Sequence, residues 1–279
     1  MSAVLVIGGT GTTGSRVATM VGDKARIATR KPSAASHVRF DWTDPGTYGP
    51  ALAGVDRVYL VAPIGVAAPV PIVEPFLHQA STLGVRRVVL LSSSAVDPDS
   101  TLGALHQSVR TLISEWTVLR PSWFMQNFTG DHALATGIRS RGEIVTATGE
   151  GRVPFIDATD IAAVATHALL DSVPHNAEHI LTGPEALTYT EAAAIITEVT
   201  GHPTRHRTVS PADLTTRLVE AGLPAPFADI LAALDTGIRH GSEDRVTTTV
   251  HDITGRPARS FRDFIAANRK PTAEIPAAG

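Results

Sequence analysis

The residues whose types and spacing could do chemistry begin with a glycine-rich stretch near the start of the chain. Its glycines recur every third residue, at Gly8, Gly11 and Gly14, between an apolar run over 4–7 and a helical pattern over 15–20. A strand, a glycine turn and a helix in this order place unpaired backbone N–H groups where a pyrophosphate can bind. We therefore predict a dinucleotide-binding turn. Its cofactor-binding residues are Gly8, Thr10, Gly11, Thr12, Thr13 and Gly14.

Two other interpretations of this glycine stretch are a turn that binds no ligand and a P-loop. A tight strand-to-helix turn that binds no ligand would also use glycines, because they adopt backbone conformations closed to other residues. A P-loop is excluded, because Ser15-Arg16 stands where that motif needs lysine followed by serine or threonine.

The residues after the second and third predicted strands indicate which dinucleotide would bind. Thr29, Arg30 and Lys31 follow the second strand, where an enzyme that prefers NAD usually carries an acidic residue for the ribose 2′-hydroxyl. An arginine fork suits a 2′-phosphate instead, so we predict NADPH; solvated loop charges are the alternative. Asp41 and Trp42, after the third strand, complete this part of the cofactor set, although Asp41 could equally cap a turn.

Short apolar runs alternate with helical patterns through the first half of the chain. This alternation predicts an α/β fold of the Rossmann type, a doubly wound parallel sheet, with a smaller C-terminal α/β lobe for the substrate. Cofactors bind such sheets beyond the carboxyl ends of the strands, so site residues are expected in the loops there. The predicted strands span 4–7, 25–29, 38–40, 57–61, 86–91 and 117–119, and the predicted helices 15–20, 70–83 and 100–114.

The loops after the fourth, fifth and sixth strands are expected to hold the nicotinamide and the substrate. The predicted cofactor contacts in them are Val61, Ala62, Pro63, Ser92 and Pro121. An aromatic run after the sixth strand is typical of a pocket wall, although it could simply cover the end of the sheet. The predicted substrate-binding residues are Ile64, His106, Trp123, Phe124, Met125, Asn127 and Phe155.

The usual proton donor of carbonyl-reducing enzymes with this fold is a tyrosine with a lysine four residues later. None of the three tyrosines has such a partner, and that spacing is held by His106 and Arg110. We take His106 and Ser93 as the catalytic candidates, with a structural or surface histidine as an equal alternative. A site without a strong acid suits hydride acceptors that are already electron-poor, such as an iminium ion or a quinone.

The second half of the chain has a less regular pattern. We predict a dinucleotide-binding domain over 1–145, a smaller lobe over 146–270 that is interleaved with it in one compact unit, and a frayed tail over 271–279. A helix capped by Asp160 is expected in this lobe. Its other predicted elements are strands at 179–181 and 205–209 and helices at 190–200, 211–221, 226–239 and 260–268.

Composition narrows the class of protein further. The 279 residues carry a formal net charge of −3, which argues against a nucleic-acid or membrane-surface partner. There is no cysteine, and the spacing of the histidines predicts no metal site. No apolar run approaches membrane-spanning length. We expect a cytoplasmic monomer or homodimer that acts on a small molecule.

Several longer motifs resemble those of NmrA-like, atypical short-chain dehydrogenases, most closely the ergot-alkaloid branch of festuclavine and agroclavine dehydrogenases. Beside the glycine turn, they are Phe40-Asp41-Trp42, Leu60-Val61-Ala62-Pro63, the run over 119–128, Pro154-Phe155-Ile156-Asp157, and the segments 147–151, 181–185, 241–245 and 254–257. The resemblance implies NADPH-dependent reduction of an iminium, an imine or an activated C=C bond in a small cyclic substrate of secondary metabolism. The same family includes quinone and azo-compound reductases and regulators that bind NADP without turnover, and these stay alternatives.

Overall fold

Seven parallel strands form one sheet in the computed structural model, which describes residues 3–66, 68–97 and 99–269. In chain order, the first elements are β1 (Ala3–Ile7), α1 (Gly14–Val21), β2 (Ala25–Thr29), β3 (His37–Arg39), α2 (Tyr48–Leu52), β4 (Val55–Val61), α3 (Val70–Thr82), β5 (Arg87–Leu91), α4 (Thr101–Leu112) and β6 (Glu115–Pro121). The later elements are α5 (Ala133–Arg141), β7 (Glu143–Thr146), β8 (Arg152–Val153), α6 (Ala158–Leu170), β9 (Ala177–Leu181), β10 (Leu187–Thr188), α7 (Tyr189–Thr200), β11 (Arg205–Thr208), α8 (Pro211–Glu220), α9 (Ala225–Arg239), α10 (Thr249–Thr254) and α11 (Phe261–Ala267).

The strand order is β3-β2-β1-β4-β5-β6-β9, and the direction in which successive strands are added reverses at β1. From β1 the chain builds outward through β2 and β3, and it then returns to place β4 on the other side. The loops after β1 and β4 therefore diverge and leave a crevice at the carboxyl edge of the sheet. Ligands of doubly wound sheets bind at this switch point.

Both faces of the sheet are covered by helices, which explains why its strands are almost continuously apolar. Along β1, Leu5 belongs to the hydrophobic cluster under α2, α3 and α4, whereas Val4 and Val6 belong to the cluster under α1, α6 and α10. Successive side chains of a strand point to opposite faces, so a run of valine, leucine and isoleucine fills both layers.

A third hydrophobic cluster lies outside the main sheet and is built from the loop after β6 and the later elements. Two small sheets frame it: β7 pairs with β11 in parallel, and β8 pairs with β10 in antiparallel fashion. Phe128, Phe155, Tyr189 and Phe261 form an aromatic group at its centre. No helix in the described ranges has the length and apolar character needed to cross a membrane.

Most predicted strands and helices are confirmed, with ends shifted by a few residues, but two expectations were wrong. The strand at 179–181 was assigned to the smaller lobe, yet it lies in β9, which pairs with β6 at the edge of the main sheet. Asp160 does not cap its helix; the N-cap of α6 is Asp157, whose carboxylate accepts a hydrogen bond from the Thr159 N–H. The predicted tail at 271–279 lies outside the described residues.

Candidate active site

The glycine turn between β1 and α1 has a shape that only glycine permits. Gly8 has a positive φ of 74°, and its carbonyl accepts a 2.8 Å hydrogen bond from the Gly11 N–H. A Cβ added to Gly14 would lie 2.2 Å from the Gly8 oxygen, so the first turn of α1 packs directly on the backbone of the turn. Thr10, Gly11 and Thr12 remain exposed above it. The turn therefore fits a pyrophosphate held by backbone N–H groups.

The Thr13 side chain is buried beneath the turn, although we predicted Thr13 as a cofactor-binding residue. It is 4% exposed, and its hydroxyl accepts a 2.9 Å hydrogen bond from the hydroxyl of Tyr59. Tyr59 is buried in β4, and burial raises the pKa of its phenol. The pair ties the start of α1 to the core, and the Thr13 side chain is therefore part of the support of the turn.

The ends of β2 and β3 lie side by side, because the Phe40 N–H donates to the Thr29 carbonyl. Arg30 and Lys31 are exposed directly after β2. Asp41 accepts hydrogen bonds from the backbone N–H and the hydroxyl of Thr43, which lower the pKa of its carboxyl. The predicted turn-capping role of Asp41 is thus present in the structure, and its second oxygen is left for another donor.

Trp42 packs in an aromatic cluster instead of standing free beside the strand ends. Its ring lies 4.9 Å from that of Phe40 and 5.4 Å from that of Phe76, both edge-on. The Tyr48 hydroxyl donates to the Trp42 carbonyl. Trp42 is only partly buried, and its predicted contact with the cofactor stays a prediction.

The loop after β5 carries a serine that is bonded to His106. Ser92 Oγ lies 2.7 Å from His106 Nε2, and His106 Nδ1 lies 3.1 Å from an oxygen of Glu178 on β9. His106 is 2% exposed, whereas Ser92 is partly exposed at the carboxyl edge of the sheet. Ser92, His106 and Glu178 therefore form a continuous hydrogen-bonded line from the sheet edge inward.

The chemistry of these three groups fixes the direction of the hydrogen bonds. An ionised carboxylate can only accept, so the proton of His106 lies on Nδ1 and points at Glu178. In the neutral ring, Nε2 then has no hydrogen and accepts from the Ser92 hydroxyl. Burial lowers the pKa of His106 below its ordinary value, against the opposing effect of Glu178, and so keeps the ring neutral at physiological pH.

Two arginines hold Glu178 in its charged form. Arg120 of β6 donates to one oxygen at 2.9 Å, and Arg110 of α4 donates to the other. Burial alone would raise the pKa of Glu178, but the hydrogen bond from Arg120 and the surrounding positive charge lower it overall. The guanidinium of Arg120 also donates to the carbonyls of Ser94 and Val96 and thereby fixes the loop after β5.

The serine bonded to His106 is Ser92 and not Ser93, so the predicted catalytic role of Ser93 stays a prediction. The Ser93 hydroxyl instead accepts from the Ala95 N–H and shapes the turn. Ser94 donates to the buried carboxylate of Glu243 at 2.7 Å. Burial raises the pKa of Glu243, and Arg245 lies beside it.

Three predicted substrate contacts are buried: His106, described above, and two hydrophobic residues of the core. Met125 is 0% exposed and Phe155 is 2% exposed, and both belong to the hydrophobic cluster outside the main sheet. Trp123, Phe124 and Asn127, from the same loop as Met125, are partly exposed and stay candidates. Ile64, after β4, is 91% exposed.

Gln126 of this aromatic run has a structural role that the sequence analysis did not assign. Its amide donates to the Asp157 carboxylate at 2.8 Å and accepts from the Ala158 N–H at 3.0 Å. Arg259 donates to the other oxygen of Asp157 at 3.1 Å. The run is therefore explained in part by the need to hold the start of α6 against the loop after β6.

The remaining predicted contacts lie at the same edge of the sheet. Val61 ends β4, Ala62 and Pro63 follow it, and all three are partly buried; the Val61 side chain lies against Gly8. Pro121 ends β6, and its carbonyl accepts from the Ser94 N–H at 2.9 Å. The structure thus brings the cradle, the basic loop after β2 and the Ser92 line to one edge. Glu178 was missed, because its signal is the pairing of β9 with β6, which local patterns do not reveal.

The chain is similar along nearly its whole length to several oxidoreductases. It is 49% identical to the uncharacterized oxidoreductase YesF of Bacillus subtilis, with 95% of this chain and 94% of that protein covered. It is 36% identical to agroclavine dehydrogenase of Claviceps fusiformis, with 95% and 97% covered. It is 33% identical to an NAD(P)H azoreductase of Xenophilus azovorans, with the same coverage of 95% and 97%.

The fold is shared with solved structures, and the sequence matches a known family. The NADPH complex of an NADPH-dependent quinone oxidoreductase from Escherichia coli has a TM-score of 0.80 at 23% identity, with 95% of this chain and 99% of that chain covered. The sequence profile of the NmrA-like family matches residues 1–236. The chain therefore belongs to the NmrA-like family.

Proposed function

We propose that this protein is an NADPH-dependent reductase whose hydride acceptor is a small cyclic iminium ion or a closely related C=N or activated C=C compound. The observation that carries the proposal is the hydrogen-bonded line from Ser92 through His106 to Glu178. With the ring proton directed at Glu178, His106 accepts a hydrogen bond from the Ser92 hydroxyl, and such a pair offers no proton to a substrate. An acceptor that already carries a positive charge needs none.

The cofactor would be held by groups that the structure has already arranged. The backbone around Thr10, Gly11 and Thr12 would bind the pyrophosphate at the start of α1, whose N-terminus is positive. Arg30 and Lys31 would bind the 2′-phosphate, and no carboxylate stands directly after β2 to repel it. When bound, NADPH supplies a hydride. Thr29, Val61, Ala62, Pro63, Ser92 and Pro121 are the further contacts that we assign to it.

The chain's own residues would act by binding, orienting and excluding water. Trp123 and Phe124 offer apolar surface for a flat, cationic ring system, and aromatic faces attract such cations. Ser92, with its proton engaged by His106, presents an oxygen lone pair that can accept a hydrogen bond from a protonated C=N group. Positioning of this kind is the main source of catalysis where no acid is required.

Agroclavine dehydrogenase supports this class of reaction over a carbonyl reduction. That relative is 36% identical over 95% of this chain, which is close enough for the architecture of the site to be shared. We therefore place the substrate of this protein among nitrogen heterocycles without naming a compound. Because 36% identity leaves most pocket residues free to differ, the substrate itself need not be the relative's.

A second candidate is reduction of azo compounds or quinones at the same site. The relative named NAD(P)H azoreductase covers 95% of this chain at 33% identity. Such acceptors take up a proton together with the hydride, so they would need Ser92 and His106 to pass one on. The neutral state of His106 disfavours this role near neutral pH.

The test is NADPH oxidation against a panel of acceptors at neutral pH. We expect turnover with N-methyl-3,4-dihydroisoquinolinium and slower or no turnover with menadione, methyl red and buffer alone. Rapid reduction of menadione or methyl red with none of the iminium would overturn the proposal. Tight binding of NADP⁺ without turnover on any acceptor would identify a sensor instead of an enzyme.

A further inference from the structure

Ser92, His106 and Glu178 also have the arrangement of a nucleophilic triad. The hydroxyl lies 2.7 Å from His106 Nε2, and the other ring nitrogen lies 3.1 Å from Glu178. We infer that Ser92 is an activated nucleophile and that the protein hydrolyses small, activated carboxylic esters, an activity separate from reduction. Triads are recognised by geometry and roles, not by sequence position or fold.

Each member is in the state that this role requires. The Glu178 carboxylate is held ionised by Arg110 and Arg120 and fixes the proton of the ring on Nδ1. The free lone pair of Nε2 faces the Ser92 hydroxyl and can take its proton as general base. An unprotonated His106 ring has no proton to donate to a substrate but can accept one from Ser92, so the same state that argues against proton donation allows nucleophile activation.

The position of Ser92 allows a substrate to reach it. Ser92 is partly exposed and directly follows β5, whereas His106 and Glu178 lie behind it. A nucleophile at the carboxyl end of a central parallel strand is the placement used by α/β-hydrolases. The neighbouring strand β6 leads into the loop with Trp123 and Phe124, so we expect aryl esters with a short apolar acyl group.

The reaction balances without any co-reactant besides water. Ser92 Oγ forms a bond to the carbonyl carbon as its proton passes to His106 Nε2. The C–O bond to the leaving alcohol breaks, and the alcohol takes that proton. Water then attacks the acyl carbon and gives a proton to the same nitrogen. The bond between the acyl carbon and Ser92 Oγ breaks, Oγ takes that proton from Nε2, and the carboxylic acid leaves.

The test uses a fluorophosphonate probe and p-nitrophenyl acetate on the full-length protein without added cofactor. We expect covalent labelling at Ser92, located by peptide mass spectrometry, and ester hydrolysis that is lost in Ser92→Ala. His106→Ala should lower both rates by at least about a hundredfold. Ser108→Ala and His78→Gln change a partly exposed serine and an exposed histidine outside the triad, and both should react like the parent.

Glu178→Gln separates the orienting role from a merely structural one. A glutamine amide can donate to Nδ1, which moves the ring proton to Nε2 and removes the base; the acylation rate should then fall by about a hundredfold or more at unchanged melting temperature. Glu178→Asp should restore part of the rate. Thermal unfolding of each variant shows whether the fold is kept.

Labelling at another residue, no labelling of the folded protein, or an unchanged rate in His106→Ala would each overturn the inference. NADPH oxidation is measured on the same preparations. A variant that loses ester hydrolysis but still oxidises NADPH has lost only the hydrolytic activity. A variant that hydrolyses esters but no longer oxidises NADPH has lost only the reductase activity.

Discussion

Ser92 and His106 share a hydrogen bond whose direction is set by a third residue. Glu178 accepts from one nitrogen of the ring and leaves the other to accept from serine. The sequence does not show whether this pair donates or accepts a proton, since either role needs serine and histidine at the same positions. The carboxylate that decides between them is 72 residues beyond the histidine and is brought to it by the pairing of β9 with β6.

At the scale of a single side chain, we propose that Arg30 distinguishes between the two nicotinamide cofactors. We predict that Arg30→Ala weakens NADPH binding by about 10- to 100-fold, because a charge-assisted hydrogen bond to phosphate contributes about 1.5–3 kcal/mol. NADH binding should change little, since that cofactor lacks the 2′-phosphate. Isothermal titration with both cofactors measures the difference.

Lys24→Ala is the control for this variant, because Lys24 is an exposed cation at the opposite end of the same strand. It should leave both affinities unchanged. An equal loss of NADPH and NADH affinity in Arg30→Ala would contradict the assignment of the 2′-phosphate to this residue.

The sequence predicted His106 and the glycine turn, but it could not predict the direction in which each side chain points. Thr13, Met125 and Phe155 were expected at the site, and the structure buries all three. Neighbouring side chains of a short loop point to opposite sides, and only the packing of the folded chain determines which side faces solvent. Ser92 and Ser93 illustrate this, because adjacent serines have different partners.

At the scale of elements, the turn between β1 and α1 depends on the contact between Gly14 and Gly8. We predict that Gly14→Ala lowers both the melting temperature and the NADPH affinity, because its Cβ would lie 2.2 Å from a backbone oxygen and force α1 away from β1. The expected loss of stability is about 1–3 kcal/mol. Chemical denaturation and cofactor titration measure the two effects.

Gly11→Ala is the matched comparison within the same turn. Its Cβ would lie 3.2 Å from the Gly8 oxygen, a tight contact that a small shift relieves. The variant should therefore stay nearly as stable as the parent and lose mainly cofactor affinity, because Gly11 lies on the exposed side of the turn. Equal destabilisation by both substitutions would show that the turn is not organised as described.

The strands and helices of the first half of the chain could be predicted from the spacing of apolar residues, because each element follows directly from its local sequence pattern. The place of β9 could not be predicted, since the strand Ala177–Leu181 contains two adjacent polar residues and resembles an element outside the main sheet. Its partly buried residues reflect an edge position in the sheet. The N-cap of α6 was also misplaced, because Asp157 and Asp160 are both suitable and only the bond to Thr159 selects one.

At the scale of the whole molecule, one half-buried carboxyl contributes to the pH dependence of stability. Asp235 of α9 accepts a hydrogen bond from the Ala147 N–H at 2.7 Å, and burial raises its pKa to about 6. A carboxyl whose pKa is raised on folding favours the unfolded state once it ionises. This loss of folding stability is absent at low pH, grows between about pH 4 and pH 6, and is complete above that range.

We predict that Asp235→Asn raises the free energy of unfolding at about pH 8 by about 1–3 kcal/mol, while the gain at about pH 4 is much smaller. Asparagine keeps an oxygen for the Ala147 N–H and removes the charge. Urea denaturation at the two pH values measures the effect. Asp229→Asn, at an exposed position of the same helix, should change stability by less than about 0.5 kcal/mol, and an equal gain in both variants would contradict this account.

We propose that hydride reaches an acceptor that needs no proton from the protein. The most direct test of this claim is the single-turnover rate of NADPH oxidation by N-methyl-3,4-dihydroisoquinolinium, measured by stopped flow in the parent and in Ser92→Ala. We predict a rate that is constant from about pH 6.5 to about pH 9 and falls by less than about tenfold in the variant, since general acid catalysis usually contributes more than that. A rate that decreases steadily with rising pH, together with a loss of about a hundredfold in Ser92→Ala, would contradict the claim.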